Sequence, residues 1–279
     1  MSIHKVWLIT GASKGMGLEM ANAVLKNGDK VVATSRNIGE LTKRISLKSE
    51  SFLPLQVDIT NDTEVKKAIQ TAVDTFGKID VIVNNAGYYL VGSFEEIGDQ
   101  EFRKTVDVNV FGTVNIIRNV MPFLRKQQSG HIINISSNMG YVGYANAGSY
   151  NASKFAVIGL TEALAQETKQ FNVKVTVIAP GMFRTSFMSD STLASAQNKI
   201  DVYGVEAHLK MLKSFDGQQP GDPKKIANIL IGITQLENPP LHLPLGSDSY
   251  QSILEQRKTE AEELELWKHL SLSTNFDYL

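Results

Sequence analysis

Short apolar runs that suit buried strands alternate with helical patterns through the first 180 residues of this 279-residue chain. Repeated strand–helix units imply a parallel, doubly wound sheet with right-handed crossovers. In such a sheet, ligands bind at the carboxyl ends of the strands. The first six predicted strands are residues 5–10, 30–35, 51–57, 79–83, 130–136 and 173–178.

A glycine-rich turn follows the first predicted strand directly. Gly11, Gly15 and Gly17 have the spacing Gly-x-x-x-Gly-x-Gly, and residues 18–26 then have a helical pattern. This order predicts a phosphate site, because free backbone N–H groups and the positive end of the helix dipole face the anion. A glycine-rich turn in some other kind of α/β protein is the alternative interpretation.

The second predicted strand ends in Ser35 and Arg36. Folds that bind NAD place a carboxylate near this point for the ribose 2′-hydroxyl, whereas an arginine suits the 2′-phosphate of NADP. Ser35 carries no carboxylate that would repel the 2′-phosphate. Arg36 can donate hydrogen bonds to this phosphate, and Lys14 adds a second positive charge. We therefore expect NADP(H) to be preferred over NAD(H).

Tyr150 and Lys154 lie in a predicted helix over residues 149–170. Their spacing places both side chains on one face, about one turn apart. A neighbouring ammonium stabilises a phenolate, so we expect a lowered Tyr150 pKa and a proton donor and acceptor near neutral pH. A surface lysine beside a half-buried tyrosine is the alternative. Ser137, at the end of the fifth predicted strand, lies on the ligand-binding edge of the sheet.

Three further segments complete the first 221 residues. The sequence predicts a helix over residues 61–76, and Asn61 is one of the polar residues that could cap its N-terminus. A long helix follows from about Asp99, and Pro122 should kink or end it. Residues 182–221 then break the pattern, and long inserts at the ligand end of a scaffold usually cover the site.

The C-terminal part predicts two helices and a strand. Residues 222–235 predict a helix, and residues 239–246 an edge or final strand, because their prolines bar a central place in a sheet. The last predicted helix, residues 252–270, is charged, and we expect Leu264 and Trp267 to dock it onto the rest of the chain.

Composition excludes several classes of function. The chain has no cysteine, which excludes disulfides, thiolate nucleophiles and Cys-ligated metals. A formal net charge of −1 gives no support for a nucleic-acid or membrane-surface partner. No apolar run approaches the roughly 20 residues of a membrane span, and the N-terminus lacks a signal-peptide pattern. We expect a cytoplasmic protein without a metal site.

Together these motifs resemble the short-chain dehydrogenase/reductase family over about residues 4–246. Residues 180–185 and 243–248 resemble one branch of that family. The matching pieces are residues 10–17, Asn84-Asn85-Ala86-Gly87, Asn109, Ser137, Tyr150 with Lys154, and Pro180-Gly181 with Thr185.

The resemblance implies an α/β fold: one Rossmann-like domain over residues 1–279, a doubly wound parallel sheet of about seven strands with helices on both faces. Residues 182–221 would cover the substrate, and residues 247–279 would be a C-terminal helical extension. By resemblance, Tyr150 is the acid/base, and Lys154 lowers its pKa and holds the nicotinamide ribose. Ser137 orients the substrate oxygen, and Asn109 supports a water that links Lys154 to solvent.

The resemblance also implies a cofactor site. Asp58 and Ile59 match positions near the adenine, Asn85–Gly87 line the cofactor cleft, and Pro180, Gly181 and Thr185 contact the nicotinamide end. The remaining expected cofactor contacts are Gly11, Ser13, Lys14, Gly15, Met16, Gly17, Ser35, Arg36, Ala86, Tyr150, Lys154 and Phe183.

The activity implied is reversible hydride transfer between NADP(H) and a carbonyl/alcohol pair. Bulky residues beside the site predict a fairly apolar small-molecule substrate, and apolar residues on the helices near 99–126 and 149–170 predict a homodimer or homotetramer. Two alternatives stay open: a dinucleotide sensor or scaffold without turnover, and an S-adenosylmethionine methyltransferase. The candidate pocket residues are Tyr88, Tyr89, Met139, Tyr144, Met182, Phe183, Phe187 and Met188.

Overall fold

A seven-stranded parallel sheet lies at the centre of the computed structural model, which describes residues 4–47, 49–188 and 193–276. The strand order is β3-β2-β1-β4-β6-β7-β9, and β5 pairs with β8 in a separate parallel pair. The strands are β1 (Val6–Thr10), β2 (Lys30–Ser35), β3 (Phe52–Gln56), β4 (Val81–Asn84), β5 (Tyr89–Val91), β6 (Gly130–Ile135), β7 (Val173–Pro180), β8 (Leu193–Ser195) and β9 (His242–Leu245).

Helices cover both faces of the large sheet. Those of the first half are α1 (Gly15–Lys26), α2 (Ile38–Arg44), α3 (Asp62–Phe76), α4 (Asp99–Val106) and α5 (Gly112–Gln127). Those of the second half are α6 (Gly148–Thr168), α7 (Val205–Ser214), α8 (Pro223–Ile233), α9 (Ser247–Leu266) and α10 (Lys268–Leu272). No helix in the described ranges is both long and apolar enough to cross a membrane.

The continuous apolar run of β1 is explained by burial on both sides of the sheet. Trp7 and Ile9 enter one core cluster with α1 and α8, whereas Val6 and Leu8 enter another with α3 and α5. A strand with one solvated face would alternate apolar and polar residues instead. The predicted doubly wound α/β fold is therefore confirmed.

Prolines mark both edges of the sheet. Pro244 lies in β9, which among the described residues pairs with β7 alone, as the sequence predicts for this segment. Pro54 lies in β3 at the opposite edge, where β2 is the sole neighbour in the sheet order. An edge strand tolerates a residue that cannot donate a ladder hydrogen bond.

The predicted long helix from Asp99 is interrupted at a different place. Pro122 was predicted to kink or end the helix; it lies inside α5, which continues to Gln127, so it does not end the helix. Val120 and Leu124 on either side of it are fully buried, and their packing offsets one missing hydrogen bond. The interruption is instead a π-helical segment, Asp107–Phe111, between α4 and α5.

The last helix differs from its prediction in its start and in its packing. α9 begins at Ser247 rather than near residue 252. Ser249 and Ile253 are its buried residues, whereas Leu264 is 72% exposed and Trp267 49% exposed. The expected docking by Leu264 and Trp267 is wrong within this chain, because the helix leaves the body beyond Arg257, which lies over the Tyr141 ring.

Candidate active site

The turn after β1 brings three backbone segments into close approach. Gly11 has φ +64°, and a Cβ there would lie 2.9 Å from the Cα of Ala86. A Cβ on Gly17 would lie 2.5 Å from the carbonyl oxygen of Gly11. Only glycine fits these positions. α1 begins at Gly15, so its first free N–H groups face the space that the turn encloses.

Asn85 and Ala86 fasten the end of β4 to the end of β1. The hydroxyl oxygen of Thr10 accepts hydrogen bonds from the backbone N–H groups of Asn85 and Ala86, both at 3.0 Å. The Asn85 side chain donates to the Thr10 carbonyl oxygen at 2.9 Å. These bonds fix the glycine turn relative to the neighbouring strand.

Ser35 and Arg36 follow β2 on the same side of the turn. The Ser35 hydroxyl accepts from the N–H of Asn37 at 3.1 Å, so it is committed to the start of α2. Burial lowers the pKa of Lys14, while the Glu40 carboxylate raises it and the Arg36 charge lowers it. Glu40, which the sequence analysis missed, therefore lies near the predicted phosphate-binding cations. Its position as the third residue of α2 was the sequence feature that could have indicated this.

The three predicted catalytic side chains come together at the carboxyl end of β6. Tyr150 and Lys154 are both 5% exposed on one face of α6, and Ser137 is 8% exposed. The Lys154 ammonium lies 5.5 Å from the centroid of the Tyr150 ring. Ser137 lies within hydrogen-bonding reach of the Tyr150 hydroxyl. The predicted face of the helix is confirmed.

The expected pKa of the tyrosine is wrong for the protein alone. Burial raises the pKa of Tyr150, and the hydrogen bond with Ser137 only partly opposes this. The Lys154 ammonium donates to the carbonyl oxygen of Ile135 at 2.9 Å and lies over the phenol ring. Burial also lowers the pKa of Lys154 to about 8. Loss of water outweighs the attraction between the two side chains.

Asn109 sits at the middle of the π-helical segment and is 1% exposed. Its side-chain NH₂ donates to the Tyr88 carbonyl oxygen and to the Ser153 hydroxyl, both at 3.0 Å, and its oxygen accepts from the Tyr88 N–H at 3.1 Å. A Cβ on Gly87 would lie 3.0 Å from that oxygen and 3.7 Å from the Lys154 nitrogen. Asn109 therefore links the end of β4 to the helix that carries Tyr150.

The loop after β7 is held by the start of α9. The Asp248 carboxylate accepts from the Met182 N–H at 2.6 Å, and a Cβ on Gly181 would lie 2.2 Å from the same carboxylate. The Ser249 hydroxyl donates to the Ala179 carbonyl oxygen at 2.7 Å. Residues 243–248 resemble a family branch, but no role for Asp248 was predicted from the sequence. Gly181, which lies against this carboxylate, was the sequence feature that could have indicated a close contact.

One cavity of about 900 Å³ joins these groups. It contains every predicted cofactor and catalytic residue except Gly17 and Asn109, which lie behind its wall, and all eight predicted pocket residues. The sequence analysis missed three lining residues on α7: His208, Met211 and Leu212. Their spacing along one helical face was the available signal. Residues 189–192 of the predicted cover lie outside the described residues.

The dimensions and chemistry of this cavity fit a nicotinamide dinucleotide. The crowded glycines leave backbone N–H groups facing the cavity at the start of α1, where a pyrophosphate binds in this type of fold. Cationic side chains lie at one end, and the buried serine, tyrosine and lysine lie at the other. Among the residues described, no cluster of three or more histidine, aspartate or glutamate side chains could hold a metal ion.

Residues 5–196 match the family described as short chain dehydrogenase, and the chain belongs to that family. It is similar to the oxidoreductase BOA17 of Botryotinia fuckeliana, at 35% identity over 97% of this chain and 99% of that protein. The chain is therefore an oxidoreductase of the short-chain dehydrogenase/reductase family.

Two solved structures agree with this assignment. A short-chain dehydrogenase from Streptomyces avermitilis has a TM-score of 0.91 at 32% identity, covering 98% of this chain and 100% of that one. The protein ElxO, solved with NADP bound, has a TM-score of 0.73 at 28% identity, covering 89% of this chain and 100% of that one. These likenesses support a nicotinamide cofactor.

Proposed function

We propose that this protein is an NADP(H)-dependent oxidoreductase that interconverts a carbonyl and an alcohol, with Tyr150 as the acid/base. The observation that carries the proposal is the meeting of Tyr150, Lys154 and Ser137 at one end of a cavity whose other end has the features of a nucleotide site. When bound, the nicotinamide supplies or accepts the hydride.

The residues have separate tasks in this proposal. Tyr150 stays protonated in the protein alone, because burial raises its pKa, and this is the form that gives a proton to a carbonyl oxygen. Ser137 donates a hydrogen bond to that oxygen as negative charge develops there. Lys154 holds the nicotinamide ribose, and its positive charge stabilises the phenolate that remains when Tyr150 has given up its proton. Asn109 fixes the backbone of Tyr88 beside Lys154.

The preference for NADP(H) rests on the end of β2. Arg36 and Lys14 line the cavity there, and Ser35 occupies the position where a carboxylate would repel a 2′-phosphate. ElxO, which is similar to this chain, has been solved with NADP. Glu40 also lines this end, and it is paired with Arg44 at 3.0 Å, which reduces its repulsion of a phosphate.

The substrate end favours a fairly apolar compound. Thioethers and aromatic rings from four separate segments face the space beyond Tyr150. We propose that residues 182–221 cover this space within a single domain of residues 1–279, and that residues 247–279 are its C-terminal extension. The lining side chains at this end are Tyr88, Tyr89, Met139, Tyr144, Met182, Phe187, Met188, Met211 and Leu212.

We also propose that the chain forms a homodimer or homotetramer through α5 and α6. Phe111 is 53% exposed at the start of α5, and Phe155 is 45% exposed on α6. Large aromatic side chains this exposed on neighbouring helices are typical of an interface. Light scattering should give a mass of two or four chains, and a monomer mass would contradict the proposal.

The experiment that tests the activity is NADPH oxidation across a panel of carbonyl compounds, with wild type and Tyr150→Phe. We expect turnover by the wild type and a loss of about 10³-fold in the variant, because the proton donor is removed. Fluorescence titration should show that the variant still binds NADPH. Tyr250→Phe is the matched control, since Tyr250 is 60% exposed and lies outside the cavity.

Retained activity in Tyr150→Phe would contradict the assignment of the acid/base. A wild type that binds NADPH but turns over no compound in the panel would favour a dinucleotide sensor. Titration with NADH in parallel tests the choice of cofactor.

A further inference from the structure

Tyr89 is a second buried tyrosine in contact with Tyr150. The two ring centroids lie 4.6 Å apart with an angle of 37° between the planes. Tyr89 is 4% exposed, and it lines the cavity. Its ring therefore forms part of the wall against which the reacting phenol rests.

The hydroxyl of Tyr89 differs from those of two half-buried tyrosines, Tyr88 and Tyr141. Tyr88 shares a hydrogen bond of 3.1 Å with the Thr105 hydroxyl, and Tyr141 shares one of 2.6 Å with His242. Within the described ranges, the Tyr89 hydroxyl has no hydrogen-bond partner. It is also not one of the side-chain polar atoms that are both completely buried and without a hydrogen bond. A buried tyrosine usually finds a partner for its hydroxyl. This hydroxyl is instead directed to the open space of the cavity.

The position of Tyr89 is fixed by the small sheet. β5 pairs with β8, which places Tyr89 beside Leu193 of the 182–221 segment. Phe187 and Val205 pack in the same apolar cluster. Burial raises the pKa of Tyr89 to about 12, so the phenol keeps its proton and can donate it in a hydrogen bond. The cavity therefore presents a rigid donor next to the proposed acid/base.

We propose that Tyr89 is a specificity-determining residue, whose hydroxyl donates a hydrogen bond to a second oxygen of the substrate, close to the reacting carbonyl. The proposal rests on the proposed carbonyl/alcohol activity and narrows its substrate class. Two donors whose rings are in contact can reach together only oxygens that are a few bonds apart. The substrates expected are apolar ketones with a neighbouring carbonyl, ester or hydroxyl oxygen.

Two compounds with one skeleton test this proposal: 1-phenylpropane-1,2-dione and phenylacetone, which differ by one oxygen. Calorimetry gives the affinity of each for wild type and for Tyr89→Phe, which keeps the ring and removes the hydroxyl. The ratio of the two affinities should fall about fivefold in the variant, the effect of one lost hydrogen bond. The ratio of kcat/KM for NADPH-dependent reduction should fall equally.

Tyr250→Phe, which removes the hydroxyl of an exposed residue that does not line the cavity, should keep the wild-type ratio. A merely structural role for Tyr89 would change the melting temperature and leave both ratios as they are. Equal ratios in wild type and Tyr89→Phe, or no binding of the dione by wild type, would overturn the proposal. A changed affinity ratio without any turnover would contradict the proposed activity and still support the role of Tyr89 in binding.

Discussion

The two ends of the cavity are built in different ways. At the cofactor end, backbone approaches backbone: a Cβ on Gly11 would lie 2.9 Å from the Cα of Ala86, and a Cβ on Gly17 would lie 2.5 Å from the carbonyl oxygen of Gly11. At the substrate end, α7 buries only Val205, and Met211 is 48% exposed. The first arrangement depends on glycines that no other residue replaces, whereas the second depends on side chains that can exchange. The cofactor end is therefore far less tolerant of substitution than the substrate end.

The largest effect that tests this comparison is expected from Gly17→Ala. The added methyl would lie 2.5 Å from both the Gly11 carbonyl oxygen and the Asn85 side-chain nitrogen, so the turn must shift. We expect affinity for NADPH to fall at least about 100-fold. Gly143→Ala is the control, because a Cβ there meets nothing within 4 Å. Fluorescence titration of both variants gives the affinities, and equal values would remove the distinction between the two ends.

A smaller effect is expected from Arg36→Ser. If Arg36 binds the 2′-phosphate, its loss removes a charge-assisted hydrogen bond, and affinity for NADPH should fall about 10- to 100-fold. Affinity for NADH, which lacks that phosphate, should change little. Arg125→Ser on the exposed surface of α5 controls for the loss of one positive charge. Equal losses for both cofactors would show that Arg36 acts on the fold rather than on the phosphate.

The last effect concerns pH, at the point where the two ends of the cavity meet. Lys154 loses its proton as pH rises through about 8, because burial lowers its pKa. Tyr150 remains protonated over this range, because burial raises its pKa. If the ammonium holds the nicotinamide ribose, kcat/KM for NADPH should fall up to about tenfold per pH unit above pH 8.

The same titration predicts the opposite trend for stability. Between about pH 8 and the ordinary lysine pKa near 10.4, the unfolded chain holds a proton at Lys154 that the folded chain has lost. The free energy of unfolding should therefore rise with pH over this window. A steady-state profile from pH 6 to 10 and thermal melts in the same buffers measure both trends. A flat rate profile would show that Lys154 keeps its charge in the free enzyme.

The sequence predicts the features that depend on local spacing. The glycine turn, the shared helical face of Tyr150 and Lys154, and the position of Ser137 at a strand end all follow from short motifs. The same motifs did not predict the direction in which the Tyr150 pKa shifts. Desolvation of this side chain depends on residues such as Tyr89, which packs against Tyr150 from another strand. The π-helical segment around Asn109 was missed for a similar reason, since its bonds to Tyr88 and Ser153 join separate elements.

The contact between Asp248 and Met182 also sets the order in which the site can be completed during synthesis. Asp248 comes later in the chain than the glycine turn, α6 and β7, and its carboxylate is what holds the loop after β7. A nascent chain that has exposed all of the glycine turn and α6 outside the ribosome still lacks this support. The glycine turn can thus form early, but the loop beside the reaction centre waits until Asp248 has been translated and has left the ribosome.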